Sequence, residues 1–233
     1  TGVFNFGGIQ AYNRHLCNAL QNGFGEVEFI AVSINEYCDN DSKYWRNIEI
    51  KSCGCAGLKC FRKALFIIRA IATVLAKKPQ FLICAHVNLS PVALFFKNVW
   101  HLKYAVLTHG VEVWNLRKGA KYEGLKNADI VTTVSRYTKG KMIENGIDAE
   151  KIKILRNTIN TSLFYKKNPD AELLNDLRLV NRRVLLTVGR VSSGDRYKGH
   201  DILLEVLQRL GDEYRWLVVG DGDDLPRLRN KAI

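Results

Sequence analysis

The sequence contains no apolar run that is long enough to cross a bilayer. Its longest run, residues 64–76, is interrupted by Arg69, whereas a membrane-spanning helix needs about 20 predominantly apolar residues. No stretch of these 233 residues has the charged, apolar and small-residue pattern of a signal peptide. We therefore expect a cytoplasmic protein, whose contact with the inner face of the cell membrane would be peripheral.

Cysteines are too scattered to form a disulfide framework. Six are present among 233 residues, and a chain of this length buries enough apolar surface to fold without such bonds. Cys53, Cys55 and Cys60 lie close together, but their C-x-C-x4-C spacing has no convincing fourth ligand nearby. The pattern therefore favours free thiols over a zinc site.

The third glycine of a dinucleotide-binding fingerprint is also missing. Gly220 and Gly222 follow a predicted strand at residues 215–219, but Leu225 occupies the third position, and no acidic residue follows at the required distance. The pattern therefore excludes an NAD site at this loop.

Acidic residues are few relative to basic ones. The chain has 23 Asp and Glu against 35 Lys and Arg, which gives a net charge of +12. Such a charge favours anionic partners, which include a nucleotide, an anionic membrane surface and a nucleic acid. Composition alone does not choose among these three.

The most informative stretch is residues 183–201. Residues 184–188 form a β-branched apolar run that is typical of a strand buried on both faces of a parallel sheet, and a helical pattern begins after Gly199. Arg190 and Lys198 lie in the intervening loop. Backbone amides at a helix N-terminus beside two cations suit a phosphate or diphosphate. Solvated charges at the rim of a sheet are the alternative interpretation.

Predicted strands and helices alternate along the rest of the chain, which favours an α/β fold with parallel sheets. Strands are predicted at residues 27–32, 48–50, 81–87, 104–107, 129–134 and 151–155, and helices at residues 9–20, 58–78, 92–100 and 136–144. Ser90 is expected to cap the third of these helices and Ser135 the fourth. The polar stretch 165–170 is the candidate linker, so residues 1–164 and 165–233 are predicted to form two domains.

The predicted helix at residues 58–78 has two interpretations. Its apolar side is predicted to contain Leu58, Phe61, Leu65, Ile68, Ala72 and Leu75, with Lys59, Arg62, Lys63 and Arg69 elsewhere. It is either a core helix with a solvated basic face or a basic, aromatic-bearing helix that rests on an anionic membrane.

His109 lies between a predicted strand and Gly110. A lone histidine is commonly structural, but the carboxyl end of a strand is where doubly wound sheets place their ligand-binding groups. Glu112, three residues later, is a candidate for binding hydroxyl groups, although an ion pair with Arg117 or Lys118 is the simpler use.

Four motifs, in order, resemble those of glycosyltransferase family 4, which has the GT-B fold. They are GGI at residues 7–9, THG at 108–110, the V-S-x-x-T to N-T-I-N run at 134–160, and GR followed by DRYKGHD within 189–201. The resemblance implies two Rossmann-like domains with parallel sheets that face a cleft. It also implies a retaining glycosyltransferase that needs neither metal nor cofactor.

The resemblance assigns substrates and residue roles. The donor is a nucleotide-diphosphate sugar, with a UDP-sugar favoured, and the acceptor is a hydroxyl of a glycan or lipid-linked molecule, as in surface polysaccharide or lipopolysaccharide synthesis. Arg190 and Lys198 would hold the diphosphate, and Gly7 and Gly8 would approach the same phosphates from the facing domain. His109 would contact the transferred sugar.

Parts of the family pattern have no counterpart in these 233 residues. These are its first strand and the later part of its second domain, which carries two glutamates eight positions apart. We therefore expect these 233 residues on their own to be inactive, with an incomplete second domain. The sugar, the base, the acceptor and the oligomeric state stay open.

A different class of function is a basic binding module without catalysis, for nucleic acid or anionic lipid. Such a module concentrates cations on one face, with exposed aromatic side chains between them. Here the cations are spread along the chain, so a nucleic-acid partner is not expected.

Overall fold

Strands pair in parallel throughout the described part of the chain, in three separate sheets. The computed structural model describes residues 7–24, 26–34, 48–53 and 59–232. The chain divides into two units, Thr1–Asn160 and Thr161–Ile233. The α/β class with parallel sheets is confirmed.

The first unit contains two of these sheets and most of the helices. In chain order its elements are α1 (Gly8–Gly23), β1 (Phe29–Ser33), β2 (Ile48–Ser52), α2 (Lys59–Lys77), β3 (Phe81–Cys84), α3 (Ser90–Trp100), β4 (Lys103–Thr108), α4 (Val111–Trp114), α5 (Ala120–Lys126), β5 (Ile130–Thr133), α6 (Arg136–Glu144) and β6 (Ile152–Ile154). One sheet has the order β1-β2 and the other β3-β4-β5-β6.

The main core of the first unit surrounds β4. Its residues Tyr104 to Thr108 are all buried, as expected for a strand covered by helices on both sides. The Tyr104 hydroxyl donates a 2.5 Å hydrogen bond to the Gly124 carbonyl of α5. This bond joins the buried strand to a covering helix and satisfies a polar atom that would otherwise be costly to bury.

Two details of the first unit differ from the sequence prediction. The strand expected to reach Val87 ends at Cys84, and a 3₁₀ helix occupies Val87–Leu89. Ser90 does not cap α3, which begins at Ser90 itself, because its hydroxyl donates to the Lys121 carbonyl. The prediction for Ser135 is confirmed, since its hydroxyl accepts from the Thr138 N–H at the start of α6.

The face of helix α2 that is buried in the core is opposite to the face that the sequence predicted. Phe66, Ala70 and Val74 are buried, whereas Phe61 and Ile68, expected inside, are each 62% exposed. The prediction failed because apolar residues surround much of this helix, so their spacing does not define one face. An apolar stripe therefore lies at the surface of the first unit.

The second unit contains one two-stranded sheet with helices on one face. Its elements are α7 (Ala171–Asp176), β7 (Arg183–Val188), a 3₁₀ helix (Ser193–Lys198), α8 (His200–Leu210), β8 (Tyr214–Val219) and α9 (Leu225–Lys231). A small core joins Val191, Leu204 and Leu228. Leu186 and Val188 of β7 are 60% and 71% exposed, so the prediction that both faces of this strand are buried is wrong. The reason is that the small core lies against only one face of the sheet.

Within the described ranges, no helix has the length and apolar character needed to span a membrane.

The contact between α3 and α5 allows a test of how the helices of the first unit pack. A Cβ on Gly124 would lie 2.5 Å from the carbonyl carbon of Ser90, so Gly124→Ala should destabilise the unit by about 1–3 kcal/mol through overpacking. Gly140, inside α6, has open space around it. Gly140→Ala is therefore the matched control and should stabilise by about 0.5–1 kcal/mol. Urea unfolding followed by circular dichroism measures both; equal effects would contradict the proposed packing.

Candidate functional site

In the second unit, Arg190 and Lys198 converge on one carboxylate. The Arg190 guanidinium donates from Nε to Oδ2 of Asp195 at 3.0 Å, and its Nη2 lies 2.9 Å from the same oxygen. The Lys198 ammonium donates to that oxygen at 3.1 Å and to the Arg190 carbonyl at 3.1 Å. The two predicted cations are therefore brought together at a single point.

The environment of Asp195 explains how this cluster is held. The Asp195 carboxylate is buried, whereas the side chain of Arg190 is 71% exposed. Hydrogen bonds from Arg190, and then from Lys198, lower the pKa of Asp195 below its ordinary value. The carboxylate therefore stays charged across the physiological range and fixes the two cations. Sequence reasoning missed this residue, although an acidic residue between two cations in one loop was a visible signal.

Helix α8 begins immediately after this loop. Gly199, in the left-handed conformation at φ 79°, precedes the first helical residue, and no side chain caps the helix. Asp201 in the first turn is bound elsewhere, because Arg227 of α9 holds both of its carboxylate oxygens at 2.8 Å. The N-terminus of α8 therefore adds an uncapped positive end to the loop with the two cations.

The loops that follow β7 and β8 pack against each other through their glycines. Gly220 and Gly222 have φ of 158° and 157°, and a Cβ on either would overlap the backbone of Gly189 or Val191. The Val191 N–H donates to the Asp221 carbonyl at 2.9 Å. The two glycines thus allow the backbones of the two loops to approach closely. This structural role explains the glycines without a bound dinucleotide.

In the first unit, His109 lies at the carboxyl edge of the larger sheet, as the sequence predicted. It follows the last residue of β4 and is half-buried, and its Nε2 lies 3.1 Å from the Ala85 carbonyl, just beyond β3. The ring of His86 is 6.0 Å from that of His109. Burial lowers the pKa of His86, so this second imidazole is neutral at neutral pH. Sequence reasoning did not single out His86.

Helix α1 meets the same edge. The ring of Tyr12 packs edge-on against His109 at 5.2 Å between centroids, and burial raises the pKa of Tyr12. Gly7 precedes α1 and Gly8 begins it, about one helical turn before Tyr12. A Cβ at Gly7, where φ is 148°, would overlap the Gln10 side chain, whereas Gly8 has open space around it. The overlap is with the end of a flexible side chain that can move aside, so the reason for the first glycine of the pair is its positive φ, which other residues rarely adopt.

Glu112 contacts the backbone of the histidine loop in place of the predicted ion pair, and its role in binding acceptor hydroxyls stays a prediction. Its Oε1 accepts a 2.5 Å hydrogen bond from the backbone N–H of His109. The expected ion pair with Arg117 or Lys118 is not among the salt bridges of the described residues. The carboxylate closes the turn after β4 and thereby fixes the position of His109.

The described residues contain no group of three His, Cys, Asp or Glu side chains that could hold a metal. Cys55, one of the three clustered cysteines, lies outside these residues, so the zinc alternative stays untested.

The two clusters of candidate site residues differ in their chemistry. The cluster in the first unit offers imidazole and phenol groups suited to hydroxyls, and that in the second unit offers cations and backbone amides suited to phosphate.

Comparison with solved structures defines the fold. The apo form of the lipopolysaccharide outer core galactosyltransferase WaaB matches with a TM-score of 0.67 at 18% identity, covering 97% of this chain and 61% of that one. Anabaena Alr3699/HepE in complex with UDP matches with a TM-score of 0.69 at 16% identity, covering 97% and 62%. The fold is that of the GT-B glycosyltransferases.

Comparison of sequences defines the family. The profile of Glycosyltransferase Family 4 matches residues 6–163, and the chain belongs to this family. A protein of Escherichia coli strain K12, the colanic acid biosynthesis glycosyl transferase WcaI by name, is 32% identical over 127 residues, which are 53% of this chain and 30% of that protein. The chain therefore spans less than two thirds of the length of these relatives.

Proposed function

We propose that this chain is part of a retaining glycosyltransferase that moves a sugar from a nucleotide diphosphate to a hydroxyl acceptor. The observation that carries the proposal is the convergence of Arg190 and Lys198 on one oxygen of Asp195 beside the uncapped N-terminus of α8. Family membership and the fold support the reaction class.

The two cations suit the leaving group of this reaction. As the glycosidic bond to the donor breaks, negative charge develops on the diphosphate, and fixed positive groups lower the barrier by stabilising that charge. Asp195 holds the guanidinium and the ammonium in place before the donor arrives. An incoming phosphate offers more oxygens than this carboxylate does, so it competes for the same donors. In this proposal the cations take the place of a metal ion.

His109 suits the sugar end of the donor. It lies at the carboxyl edge of the sheet among hydrogen-bonding side chains, and its position is fixed by Glu112 and Tyr12. We infer that its imidazole binds a hydroxyl of the transferred sugar. Gly7 and Gly8 are assigned to the donor phosphates, and Glu112 acts as a positioning residue for His109.

The names of the relatives support a donor and a pathway. HepE has been crystallised with UDP and with UDP-glucose, which supports a UDP-sugar. WcaI is named for colanic acid biosynthesis and WaaB for the lipopolysaccharide outer core, which supports an acceptor that is a glycan or lipid-linked molecule at the cell surface. We propose that turnover needs the longer enzyme, with the remaining family motifs, on the cytoplasmic side of the membrane.

Removing either cation should weaken donor binding. In the full-length enzyme, Arg190→Ala or Lys198→Ala should raise the Kd for UDP by about tenfold to a hundredfold, because a charge-assisted hydrogen bond contributes about 1.5–3 kcal/mol. Isothermal titration calorimetry measures the change. Arg182→Ala is the matched control: it removes one guanidinium just before β7, at the opposite end of the strand, where that group donates to the Asp212 carbonyl. An equal loss in the control would mean that net charge alone attracts the nucleotide.

Removing the imidazole of His109 should affect turnover and not nucleotide binding. In the full-length enzyme, His109→Ala should lower kcat at least about a hundredfold and leave the Kd for UDP within about twofold, because the proposed contact is to the sugar. Release of UDP in the presence of acceptor reports kcat. His101→Asn, just before β4, is the control and should behave as wild type. Wild-type turnover in His109→Ala would show that this histidine is structural.

The outward face of α2 supports peripheral membrane binding. Phe61, Ile68 and Leu75, seven residues apart along the helix, are 62%, 62% and 54% exposed, and Arg62 and Arg69 flank them at helical spacing. An exposed apolar stripe beside cations suits the surface of an anionic bilayer. We propose that this stripe holds the enzyme near a lipid-linked acceptor.

Replacing the stripe should release the protein from anionic lipid. Phe61→Ser with Ile68→Ser should reduce co-sedimentation with vesicles of phosphatidylglycerol about tenfold, and phosphatidylcholine vesicles should bind neither form. Ile143→Ser, at a position of α6 that is 42% exposed, is the control. Undiminished sedimentation of the double variant would place any membrane contact elsewhere.

A further inference from the structure

Two histidine rings lie together at the carboxyl edge of the larger sheet, and the proposed function uses only one of them. His86 follows β3 by two residues and His109 follows β4 directly, and these strands are paired in parallel. Both side chains are half-buried. The ring centres are 6.0 Å apart, and the ring planes are inclined by 31°. A ligand of the size of a sugar is therefore able to contact both rings.

The turn after β3 determines which nitrogen of His86 carries the proton. His86 is the N-terminal cap of the 3₁₀ helix Val87–Leu89, and its Nδ1 accepts a 3.1 Å hydrogen bond from the Asn88 backbone N–H. A nitrogen that accepts has no proton, and a neutral imidazole carries one proton on its other nitrogen. The Nε2 of neutral His86 is therefore a hydrogen-bond donor.

The surroundings of His86 favour this neutral form. Burial is the largest cause that lowers its pKa, and His109 and Lys121 lower it further, whereas the Glu112 carboxylate acts in the opposite direction. The net effect is a pKa below the ordinary value, so the ring holds a single proton at neutral pH.

His109 has the opposite arrangement of nitrogens. Its Nε2 lies 3.1 Å from the Ala85 carbonyl oxygen, which only accepts hydrogen bonds, so Nε2 is the nitrogen that carries the proton. In the neutral ring, Nδ1 then has a free lone pair. Ala85 directly precedes His86, so a single turn holds both rings and gives them complementary hydrogen-bonding nitrogens.

Both remaining nitrogens are available to a ligand. Within residues 7–24, 26–34, 48–53 and 59–232, neither Nε2 of His86 nor Nδ1 of His109 has a hydrogen-bond partner. Neither is among the fully buried polar atoms of those ranges that lack a partner, so both are open to solvent. The two rings thus present one donor and one acceptor.

A sugar hydroxyl matches this pair, and a phosphate does not. A hydroxyl both donates and accepts, so adjacent hydroxyl groups satisfy the N–H of His86 and the lone pair of His109 together. An ionised phosphate offers only acceptors and would place one of its lone pairs against that of His109. The polarity of the pair therefore favours the sugar of a donor over its diphosphate.

We propose that His86 is a second sugar-binding residue, whose Nε2–H donates to an oxygen of the transferred sugar while Nδ1 of His109 accepts from an adjacent hydroxyl. This inference rests on the proposed function, in which His109 binds that sugar. It adds a residue and the direction of each hydrogen bond. The pair accordingly selects a sugar that has a hydroxyl at the position that donates to His109.

Two substitutions separate the role of His86 in binding from its role in capping. In the full-length enzyme, His86→Asn keeps an oxygen that accepts from the Asn88 N–H but lacks the Nε2 donor. His86→Gln supplies an amide N–H farther from the backbone and is a poor cap. With UDP-glucose as the probe, His86→Asn should raise the Kd about threefold to tenfold, and His86→Gln should bind at least about twofold more tightly than His86→Asn, because one neutral hydrogen bond is lost and then restored.

UDP alone is the control ligand in the same calorimetric titrations. Its Kd should stay within about twofold in both variants, because UDP lacks the sugar that is transferred. His101→Asn, outside the turn after β3, is the control variant and should leave the Kd of both ligands unchanged.

The proton positions are measured separately from binding. Nitrogen nuclear magnetic resonance of the histidine-labelled full-length enzyme, with His86→Asn to assign the signal, reports the tautomer of each ring. At neutral pH, Nε2 of His86 should be protonated and Nδ1 should be unprotonated.

Three results would overturn this pair while the proposed function stands. Unchanged affinity of His86→Asn for UDP-glucose, when the wild type binds it, would show that His86 contacts no sugar. A Kd that rises more for His86→Gln than for His86→Asn would show that the ring acts only as a cap. A proton on Nδ1 of His86 would reverse the assigned polarity. A wild-type enzyme that binds neither UDP nor UDP-glucose is a distinct result, which would overturn the proposed donor and the pair with it.

Discussion

Parallel strand pairing is the constraint on which the rest of this structure depends. Parallel neighbours cannot be joined by a tight turn, so each strand is followed by a crossover, usually a helix, before the next begins. The helices then cover the sheet, which explains why the residues of β4 from Tyr104 to Thr108 are all buried. The same geometry brings every strand's carboxyl end to one edge, so His86 and His109 become neighbours although 23 positions apart in sequence.

Charge in the second unit is arranged in local clusters. Asp195 binds Arg190 and Lys198, and Asp201 binds Arg227 and Lys231. The first cluster lies at the exposed end of a strand, where its cations are accessible to a ligand. The second cluster joins α8 to α9, and its cations pair with the Asp201 carboxylate in the first turn of α8.

Helix α2 has apolar residues on both its buried and its exposed face. Its inward face, with Phe66, lines an apolar cavity together with Ile30 and Leu82, and its outward face carries Phe61 and Ile68 at the surface. A helix that is apolar on both faces is unusual at a protein surface unless each face has a partner. The core of the first unit is the partner of the inward face, and the proposed bilayer would be the partner of the outward face.

The sequence by itself determined the alternation of strands and helices, the parallel class, the family and the loop positions of His109, Arg190 and Lys198. These follow from local signals, since apolar period, glycine position and motif order are read within a few residues. It could not determine the face that α2 buries or the exposure of β7, because burial depends on which elements pack nearby. The partners of Glu112, Ser90 and Asp195 were likewise decided by tertiary structure, since a short polar side chain binds whichever group the fold brings within about 3 Å.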